Sequence, residues 1–171
     1  MRPTFWFYGL SGSGKTTAAS VACARFGGPS LDSSTVRQHI APFVGYSAVE
    51  RLKIAKTLAI LSREIALDEE TYPGPAVFIS CMAPFEECRR AAIALNPGIQ
   101  FVLVETPLDV CKDRRANSGA YGSDDQVLKV DPLPEPFLKI SGEEPSLIWL
   151  EQLGKCLGTS PGTQPQSSSS S

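Results

Sequence analysis

Gly9-Leu10-Ser11-Gly12-Ser13-Gly14-Lys15-Thr16 is the segment of this chain that most strongly predicts its fold class. It satisfies the pattern G-x-x-x-x-G-K-S/T, in which glycines let the backbone curl until its N–H groups point inward at phosphates. The ammonium of Lys15 can then reach the β- and γ-phosphates, and the hydroxyl of Thr16 can bind Mg²⁺. The pattern predicts a nucleotide-binding loop from Gly9 to Thr17, with ATP and Mg²⁺ as cofactors.

The segments on either side of this loop fit the same interpretation. Thr4–Tyr8 is short, aromatic and followed by glycine, which is typical of a buried central strand. The Ala-rich run Lys15–Phe26 predicts a helix that ends at Gly27 and Gly28. A helix that begins at the loop directs the positive end of its dipole at bound phosphate.

The rest of the chain alternates between predicted strands and helices. Further strands are predicted at residues 30–32, 76–80, 99–105 and 146–150. Helices are predicted at residues 36–40, 47–67, 84–96 and 106–115. Residues 117–144, rich in Gly, Pro and Asp, are expected to form a lid and an irregular segment. The fold class is therefore α/β: a three-layer P-loop NTPase with a mostly parallel sheet, helices on both faces and a lid.

Length and composition limit the number of domains and the classes of partner. The 171 residues fit one kinase-type domain, residues 1–157, followed by a Ser-rich low-complexity tail, residues 158–171. A net charge of −2 offers no basic field for nucleic acid. Neither a signal-peptide pattern nor an apolar run of membrane-spanning length occurs. We expect a cytoplasmic protein, in the host cytoplasm if it is viral, without a membrane partner and of undetermined oligomeric state.

A few charged residues are candidates for chemistry beside the loop. Asp32 ends the second predicted strand, where open α/β sheets place ligands. It can position or deprotonate an acceptor hydroxyl or assist Mg²⁺, or it can simply cap the next helix. Arg37 can reach substrate or phosphate, or face solvent. Arg114 and Arg115 close a predicted helix beside a Gly-containing loop, as expected of a lid over ATP.

Taken together, these residues resemble adenylylsulfate kinases. That family reads GLSGSGKTT, LDGDxxR, GFSxxDR, FISPF and DTPLxxCxxR, with a KGLY lid. The corresponding segments here are residues 9–17, 31–37, 45–51, 78–85 and 105–114, with Ser118-Gly119-Ala120-Tyr121 in place of the lid motif. The resemblance spans residues 3–150, with the motifs in the same order and at similar spacing.

The resemblance implies a kinase with defined site residues. Catalytic roles fall to Lys15, Asp32 and Arg114, and the metal ligands are Thr16 and Asp32. The implied substrate-binding residues are Arg37, Tyr46 and Arg51.

Three departures from the family pattern concern the acceptor. Ser34 replaces the second carboxylate of DGD, and Ser118 replaces the lid lysine. The family's FTGID stretch, which carries an aromatic for the acceptor's adenine, reads Val127-Leu128-Lys129-Val130-Asp131 here. Only Tyr46 keeps an aromatic ring for that purpose, and a lost stacking face costs a nucleotide site about 1–3 kcal/mol.

These departures leave three hypotheses for the function. The preferred one is a bacteriophage DNA-modification kinase that phosphorylates the hydroxymethyl group of 5-hydroxymethyluracil in DNA. The alternative is an adenylylsulfate kinase that makes 3′-phosphoadenylylsulfate. A third, suggested by Ser34, is a nucleotide-binding regulator without activity. The acceptor is a nucleotide-type molecule in the first two hypotheses.

Overall fold

Parallel strands form the centre of the protein in a computed structural model that describes residues 1–118, 129–132, 136–143 and 148–158. Within these residues the sheet has five strands in the order β2-β3-β1-β4-β5. Every pairing is parallel, and β1 lies between β3 and β4. The strands are β1 Thr4–Tyr8, β2 Ser30–Asp32, β3 Val77–Ser80, β4 Ile99–Glu105 and β5 Leu138–Ser141.

Helices cover both faces of the sheet because the residues of β1 alternate between two cores. Trp6 and Tyr8 pack on one face with apolar residues of the long third helix, while Phe5 and Phe7 pack on the other with those of the first and last helices. The helices are α1 Lys15–Phe26, α2 Ser33–His39, α3 Ala48–Leu67, α4 Glu86–Leu95, α5 Leu108–Ser118 and α6 Ile148–Cys156. The predicted three-layer α/β fold is confirmed.

The predicted strand at residues 146–150 is wrong, because α6 occupies this part of the chain from residue 148. Trp149, Leu150 and Leu153 bury one face of this helix, which is a helical rather than an alternating spacing. The last strand is instead β5, inside the segment predicted to be irregular. Leu138 and Ile140 of β5 alternate with polar residues and pack on the core, but the pattern is only four residues long and contains only two apolar residues.

Other boundaries agree more closely. The predicted start of the helix at residue 47 is confirmed by a capping box that opens α3: Ser47 accepts from the Glu50 N–H, and the Glu50 carboxylate accepts from the Ser47 N–H. Leu58 of this helix is buried, while Leu61 and Ile65, at helical spacing from it, are only partly buried. Small residues such as Ala55 and Ala59 form more of the buried face, which lets α3 approach the sheet closely.

Several predictions fall outside the described residues. They concern the lid sequence at 119–121, the departures at 127 and 128, and the tail from residue 159. Among the helices that are described, none has both the length and the apolar character needed to cross a membrane.

Candidate active site

The loop between β1 and α1 has the backbone geometry that its glycines allow. Gly9, Gly12 and Gly14 have φ angles of 147°, 84° and 98°, which side-chain-bearing residues rarely adopt. A Cβ atom on Gly9 would lie 2.5 Å from the Val104 carbonyl oxygen, and one on Gly12 would lie 2.5 Å from that of Cys111. The loop therefore packs closely on β4 and α5 and leaves the N-terminus of α1 open to the pocket.

The Lys15 ammonium and the Ser11 hydroxyl are the polar side-chain groups of this loop that suit a phosphate ligand. The Lys15 ammonium donates to the Leu10 carbonyl oxygen at 2.6 Å, which folds the side chain back over the loop. The Ser11 hydroxyl is buried and has no hydrogen-bond partner among the described residues. Buried polar groups are normally paired, so the loop fits a ligand rich in acceptor oxygens.

Asp32, at the end of β2, performs two structural tasks at once. Its Oδ1 accepts from the Ser34 and Thr35 N–H groups at 2.8 and 3.2 Å and caps α2. Its Oδ2 accepts from the Thr16 hydroxyl at 3.1 Å and from the Ser80 hydroxyl. Burial alone would raise the pKa of Asp32, but these hydrogen bonds outweigh it and hold the pKa below its ordinary value. Asp32 therefore remains an anion facing Thr16.

Thr16 and Asp32 provide two of the oxygen ligands that a Mg²⁺ site would need. Mg²⁺ prefers hard oxygen ligands and in nucleotide sites takes only one or two carboxylates besides phosphate oxygens and water. Over the described ranges, no three His, Cys, Asp or Glu side chains lie together as a complete metal site. The residues present thus fit a metal that arrives with a nucleotide.

The three predicted substrate residues meet around one aromatic ring. The guanidinium carbon atoms of Arg37 and Arg51 lie 4.5 and 5.4 Å from the centroid of the Tyr46 ring. Arg51, which is buried, donates from Nε to the Tyr46 carbonyl oxygen at 2.8 Å. Burial lowers the pKa of Arg37, whose guanidinium nonetheless stays charged near neutral pH. The result is an aromatic surface flanked by two positive charges.

Arg114 connects the loop to β5. Its Nη1 donates to the Gly12 carbonyl oxygen at 3.3 Å and to the Gly142 carbonyl oxygen at 3.0 Å. A Cβ atom on Gly142 would lie only 1.9 Å from the Ser13 carbonyl oxygen, so this position needs glycine for the close approach. Arg114 and the half-buried Arg115 both line the pocket.

One cavity of about 560 Å³ joins these groups. Every predicted site residue lines it except Gly9, Leu10 and Ser13, which shape the loop from behind. Sequence reasoning missed Ser80 and Gly142, which also line the cavity. Ser80 ends β3 beside Asp32, so the rule that ligands bind at the carboxyl ends of parallel strands could have identified it.

Comparison with protein families and curated relatives points in one direction. The family model described as adenylylsulphate kinase matches residues 2–126. The adenylyl-sulfate kinase of Chloroflexus aurantiacus is 32% identical over 114 residues, which cover 64% of this chain and 59% of that protein. That of a Synechococcus strain is 32% identical over 123 residues, which cover 69% and 67%. The chain thus spans about three fifths to two thirds of the length of these relatives.

Solved structures confirm the fold without choosing an acceptor. The APS kinase of Mycobacterium tuberculosis, solved in complex with AMPPNP and APS, superposes with a TM-score of 0.70 at 19% identity, covering 92% of this chain and 98% of that one. A sugar kinase from Janibacter superposes with a TM-score of 0.72 at 19% identity, covering 94% and 97%. Since kinases of two acceptor classes fit equally well, the fold does not determine the acceptor.

Proposed function

The chain belongs to the adenylylsulfate kinase family, and on that premise we propose that it transfers the γ-phosphate of ATP to the 3′-hydroxyl of adenylylsulfate. The observation that carries the proposal is that one cavity is lined both by Lys15 and Thr16 and by Arg37, Tyr46 and Arg51. A phosphate-binding loop and a cationic aromatic surface in the same cavity suit transfer between two nucleotides.

The phosphate side of the cavity would hold ATP. Backbone N–H groups of the loop and the Lys15 ammonium bind the β- and γ-phosphates, and the N-terminus of α1 adds its positive potential. Thr16 and Asp32 would hold Mg²⁺, which neutralises charge as it develops on the phosphate oxygens. Arg114, anchored to Gly12 and Gly142, is placed to contact the nucleotide from the α5 side.

In this proposal Asp32 serves as a fixed negative charge beside the Mg²⁺ site and not as a general base. Both of its oxygens already accept hydrogen bonds, and these lower its pKa and weaken it as a proton acceptor. Phosphoryl transfer through a loose transition state depends mainly on positioning and electrostatics. Asp32 therefore contributes by orienting Thr16 and the metal's ligands.

The acceptor side suits a nucleotide that carries negative charge. Arg51 and Arg37 supply two cations, and the Tyr46 ring supplies a face on which a base can stack. Ser34, in the first turn of α2, lines the cavity but carries no charge. Asp32, the N-cap of α2, is therefore the carboxylate that this end of the helix contributes to the cavity.

The names of the matched relatives favour adenylylsulfate over hydroxymethyluracil in DNA, the hypothesis preferred from the departures alone. Neither DNA modification nor a bacteriophage origin is supported by these comparisons. The hydroxymethyl acceptor is therefore retained only as a competing substrate in the assay.

The experiment is radiolabelled γ-phosphate transfer by the purified chain with Mg²⁺. Adenylylsulfate, DNA containing 5-hydroxymethyluracil and free 5-hydroxymethyl-2′-deoxyuridine monophosphate are offered separately, with Lys15→Ala as the inactive control. We expect transfer to adenylylsulfate at roughly 1–100 s⁻¹, the range of ordinary kinases, and background with the other two.

Two results would contradict the proposal. Transfer to the DNA substrate with none to adenylylsulfate would restore the hydroxymethyluracil hypothesis. ATP binding without transfer to any acceptor would instead favour the inactive regulator.

A further inference from the structure

A fully buried arginine lies beside the active-site cavity, and the proposed mechanism gives it no role. Arg89 of α4 is 0% exposed and does not line the cavity. Burial lowers the pKa of Arg89, but a guanidinium still carries its charge near neutral pH. Because a buried charge costs free energy unless it is well hydrogen-bonded, its partners show what it holds in place.

The partners of Arg89 are backbone carbonyl oxygens from two segments that are distant in the sequence. Its Nη1 donates to the carbonyl oxygens of Ala83 and Pro84 at 2.7 and 3.1 Å. Its Nη2 donates to those of Asp131 and Pro132 at 2.5 and 3.4 Å. One guanidinium therefore joins the segment before α4 to the segment that contains residue 131.

The face of the same guanidinium rests on the central strand. Its carbon atom lies 5.1 Å from the centroid of the Tyr8 ring, and Tyr8 is the last residue of β1. A cation over an aromatic face is attracted by the ring, and more strongly where water is excluded. The Tyr8 ring thus gives Arg89 a fixed support within the core.

The segment before α4 has an unusual backbone at the point that Arg89 holds. Ala83 has a φ of 36°, the one positive φ among the described non-glycine residues. A residue with a side chain adopts this conformation at a cost in free energy, so its surroundings must impose it. The hydrogen bond from Arg89 to the Ala83 carbonyl oxygen is one such constraint.

This strained turn forms part of the cavity wall on the acceptor side. Ala83 and Pro84 both line the active-site cavity. The preceding residue, Met82, also lines it, and its sulfur lies 3.4 Å from Nη1 of Arg51. The wall held by Arg89 therefore adjoins one of the two arginines assigned to the acceptor.

Asp131 is bound to this wall by further hydrogen bonds. The Asp131 N–H donates to the Pro84 carbonyl oxygen at 2.8 Å, and the Asp131 carboxylate accepts from the Glu86 N–H at 3.1 Å. Because Arg89 binds the carbonyl oxygens of both partners in the first of these bonds, its loss should loosen the whole attachment.

We propose that Arg89 is a positioning residue for the acceptor: it fixes the wall formed by Ala83 and Pro84 and attaches residues 129–132 to that wall. The proposal rests on the proposed function in that it places the acceptor beside this wall. None of the hydrogen bonds described for Arg89 goes to the phosphate-binding loop, so its loss should affect the acceptor and not ATP.

The test compares Arg89→Met and Arg89→Lys with Arg2→Met and the unmodified chain. Arg2 is the matched control because it is also buried and also donates to two backbone carbonyl oxygens, those of Ile65 and Gly74. It does not line the cavity. Both Met variants lose a buried guanidinium, but only Arg89→Met loosens the cavity wall.

Steady-state kinetics use the acceptor that the three-substrate transfer assay identifies. Arg89→Met should lower kcat/KM for the acceptor about 10²-fold, the effect of a displacement of about 1 Å, and leave KM for ATP unchanged. Arg89→Lys keeps the charge and three donors, so its loss should be smaller. Arg2→Met should lower the melting temperature but not kcat/KM. An equal fall in kcat/KM for Arg2→Met would show that Arg89 acts only through stability.

Amide hydrogen exchange measured by NMR tests the attachment without an acceptor. The Glu86 and Asp131 N–H groups should exchange faster in Arg89→Met than in wild type and at the wild-type rate in Arg2→Met. Unchanged exchange at both amides in Arg89→Met would overturn the attachment. If Arg89→Met does not fold, Arg89→Lys carries both measurements with smaller expected changes.

Failure of this proposal can be told apart from failure of the proposed function. Transfer to adenylylsulfate with wild-type kcat/KM in Arg89→Met would overturn the role of Arg89 alone. Transfer only to DNA containing 5-hydroxymethyluracil, lowered in Arg89→Met with an unchanged KM for ATP, would overturn adenylylsulfate as the acceptor and support Arg89. Absence of transfer to any acceptor would overturn both.

Discussion

Backbone geometry shapes the phosphate side of the cavity, whereas side chains on a loop shape the acceptor side. On the phosphate side, Gly9, Gly12 and Gly14 adopt conformations that set the curl of the chain. On the acceptor side, the guanidinium groups of Arg37 and Arg51 lie over the Tyr46 ring, and the neighbouring Gly45 does not adopt a positive φ. The first side matches its family pattern at every position, and the departures concern the second.

The phosphate side and the acceptor side differ in which substitutions the fold tolerates. A side chain introduced at Gly9 or Gly12 meets backbone atoms at 2.5 Å, so the phosphate side tolerates little variation. The exposed position Ser34 meets no such limit, because it borders the open cavity. Substitutions on the two sides should therefore differ in kind: the first should abolish transfer, and the second should alter the acceptor.

The largest effect is expected from Lys15→Ala, which tests the phosphate side. Lys15 is the cation of the loop that can reach the β- and γ-phosphates, so its loss should lower kcat by about 10³-fold. The melting temperature should change little, since Lys15 lines the cavity and its ammonium donates to the Leu10 carbonyl oxygen of the same loop rather than to the packed core. Lys56→Ala, an exposed lysine on α3, is the control for loss of charge. Near wild-type turnover in Lys15→Ala would refute the phosphate-binding assignment.

Asp32→Asn comes next, because Asp32 stands where the two sides meet. We expect kcat to fall about 10²-fold with little change in ATP affinity, since the anion facing Thr16 is lost while the amide can still cap α2. Asp68→Asn is the matched control, a carboxylate that accepts from the Thr71 N–H outside the cavity. Equal activities of Asp32→Asn and wild type would show that the metal side does not depend on this carboxylate.

The sequence predicts the two sides of the cavity unequally for a physical reason. The loop of residues 9–17 was predictable because glycine conformations and a helix N-terminus are local properties. Asp32, Arg37 and Tyr46 were identified from strand ends and from the family resemblance, but their mutual geometry was not. Tyr46 lies between two guanidinium groups only because α2 and α3 fold back on one another.

Long-range contacts account for what sequence reasoning missed. Gly142 approaches Ser13 across more than a hundred residues, and β5 offers only a four-residue alternation of apolar and polar residues as a local signal. The error at α6 has a similar origin, because the run from Leu147 to Leu150 is apolar at every position and suits either a strand or a helix. The buried positions Trp149, Leu150 and Leu153, spaced as on one face of a helix, distinguish the two.

Ser34→Asp should produce a smaller effect that is confined to the acceptor side. The family carries a carboxylate at this position, so restoring it should raise kcat/KM for adenylylsulfate severalfold and leave KM for ATP unchanged. A carboxylate in the first turn of α2 also suits the helix dipole, so the fold should tolerate it. Thr35→Asp adds the same charge one residue later without lining the cavity. A decrease for adenylylsulfate with both variants would indicate that negative charge there repels the acceptor.

The smallest effect is expected from Glu50→Gln, which tests whether the acceptor side depends on a braced loop. The Glu50 carboxylate accepts from the Ser47 hydroxyl and from the Gly45 and Ser47 N–H groups, and these bonds lower its pKa from 4.5 to about 2. Because the folded state holds the anion more tightly than the unfolded chain, its stabilising contribution is complete above pH 4.5 and is lost as the pH falls toward 2.

Urea unfolding at pH 7 and pH 2.5 measures this contribution. The free energy of unfolding of wild type should exceed that of Glu50→Gln at pH 7, and this difference should shrink at pH 2.5. The control is Glu64→Gln, a substitution at an exposed position on the same helix, which should be as stable as wild type at both pH values. At pH 7 the KM of Glu50→Gln for the acceptor should rise slightly, and its KM for ATP should not change. The substitution weakens the hydrogen bond that the Gly45 N–H donates in the loop carrying Phe43 and Tyr46, but it does not affect the phosphate-binding glycines. An equal change in the KM for the acceptor and the KM for ATP would show that the loop also affects the phosphate side. That result would contradict the expectation that substitutions on one side of the cavity leave the other side unchanged.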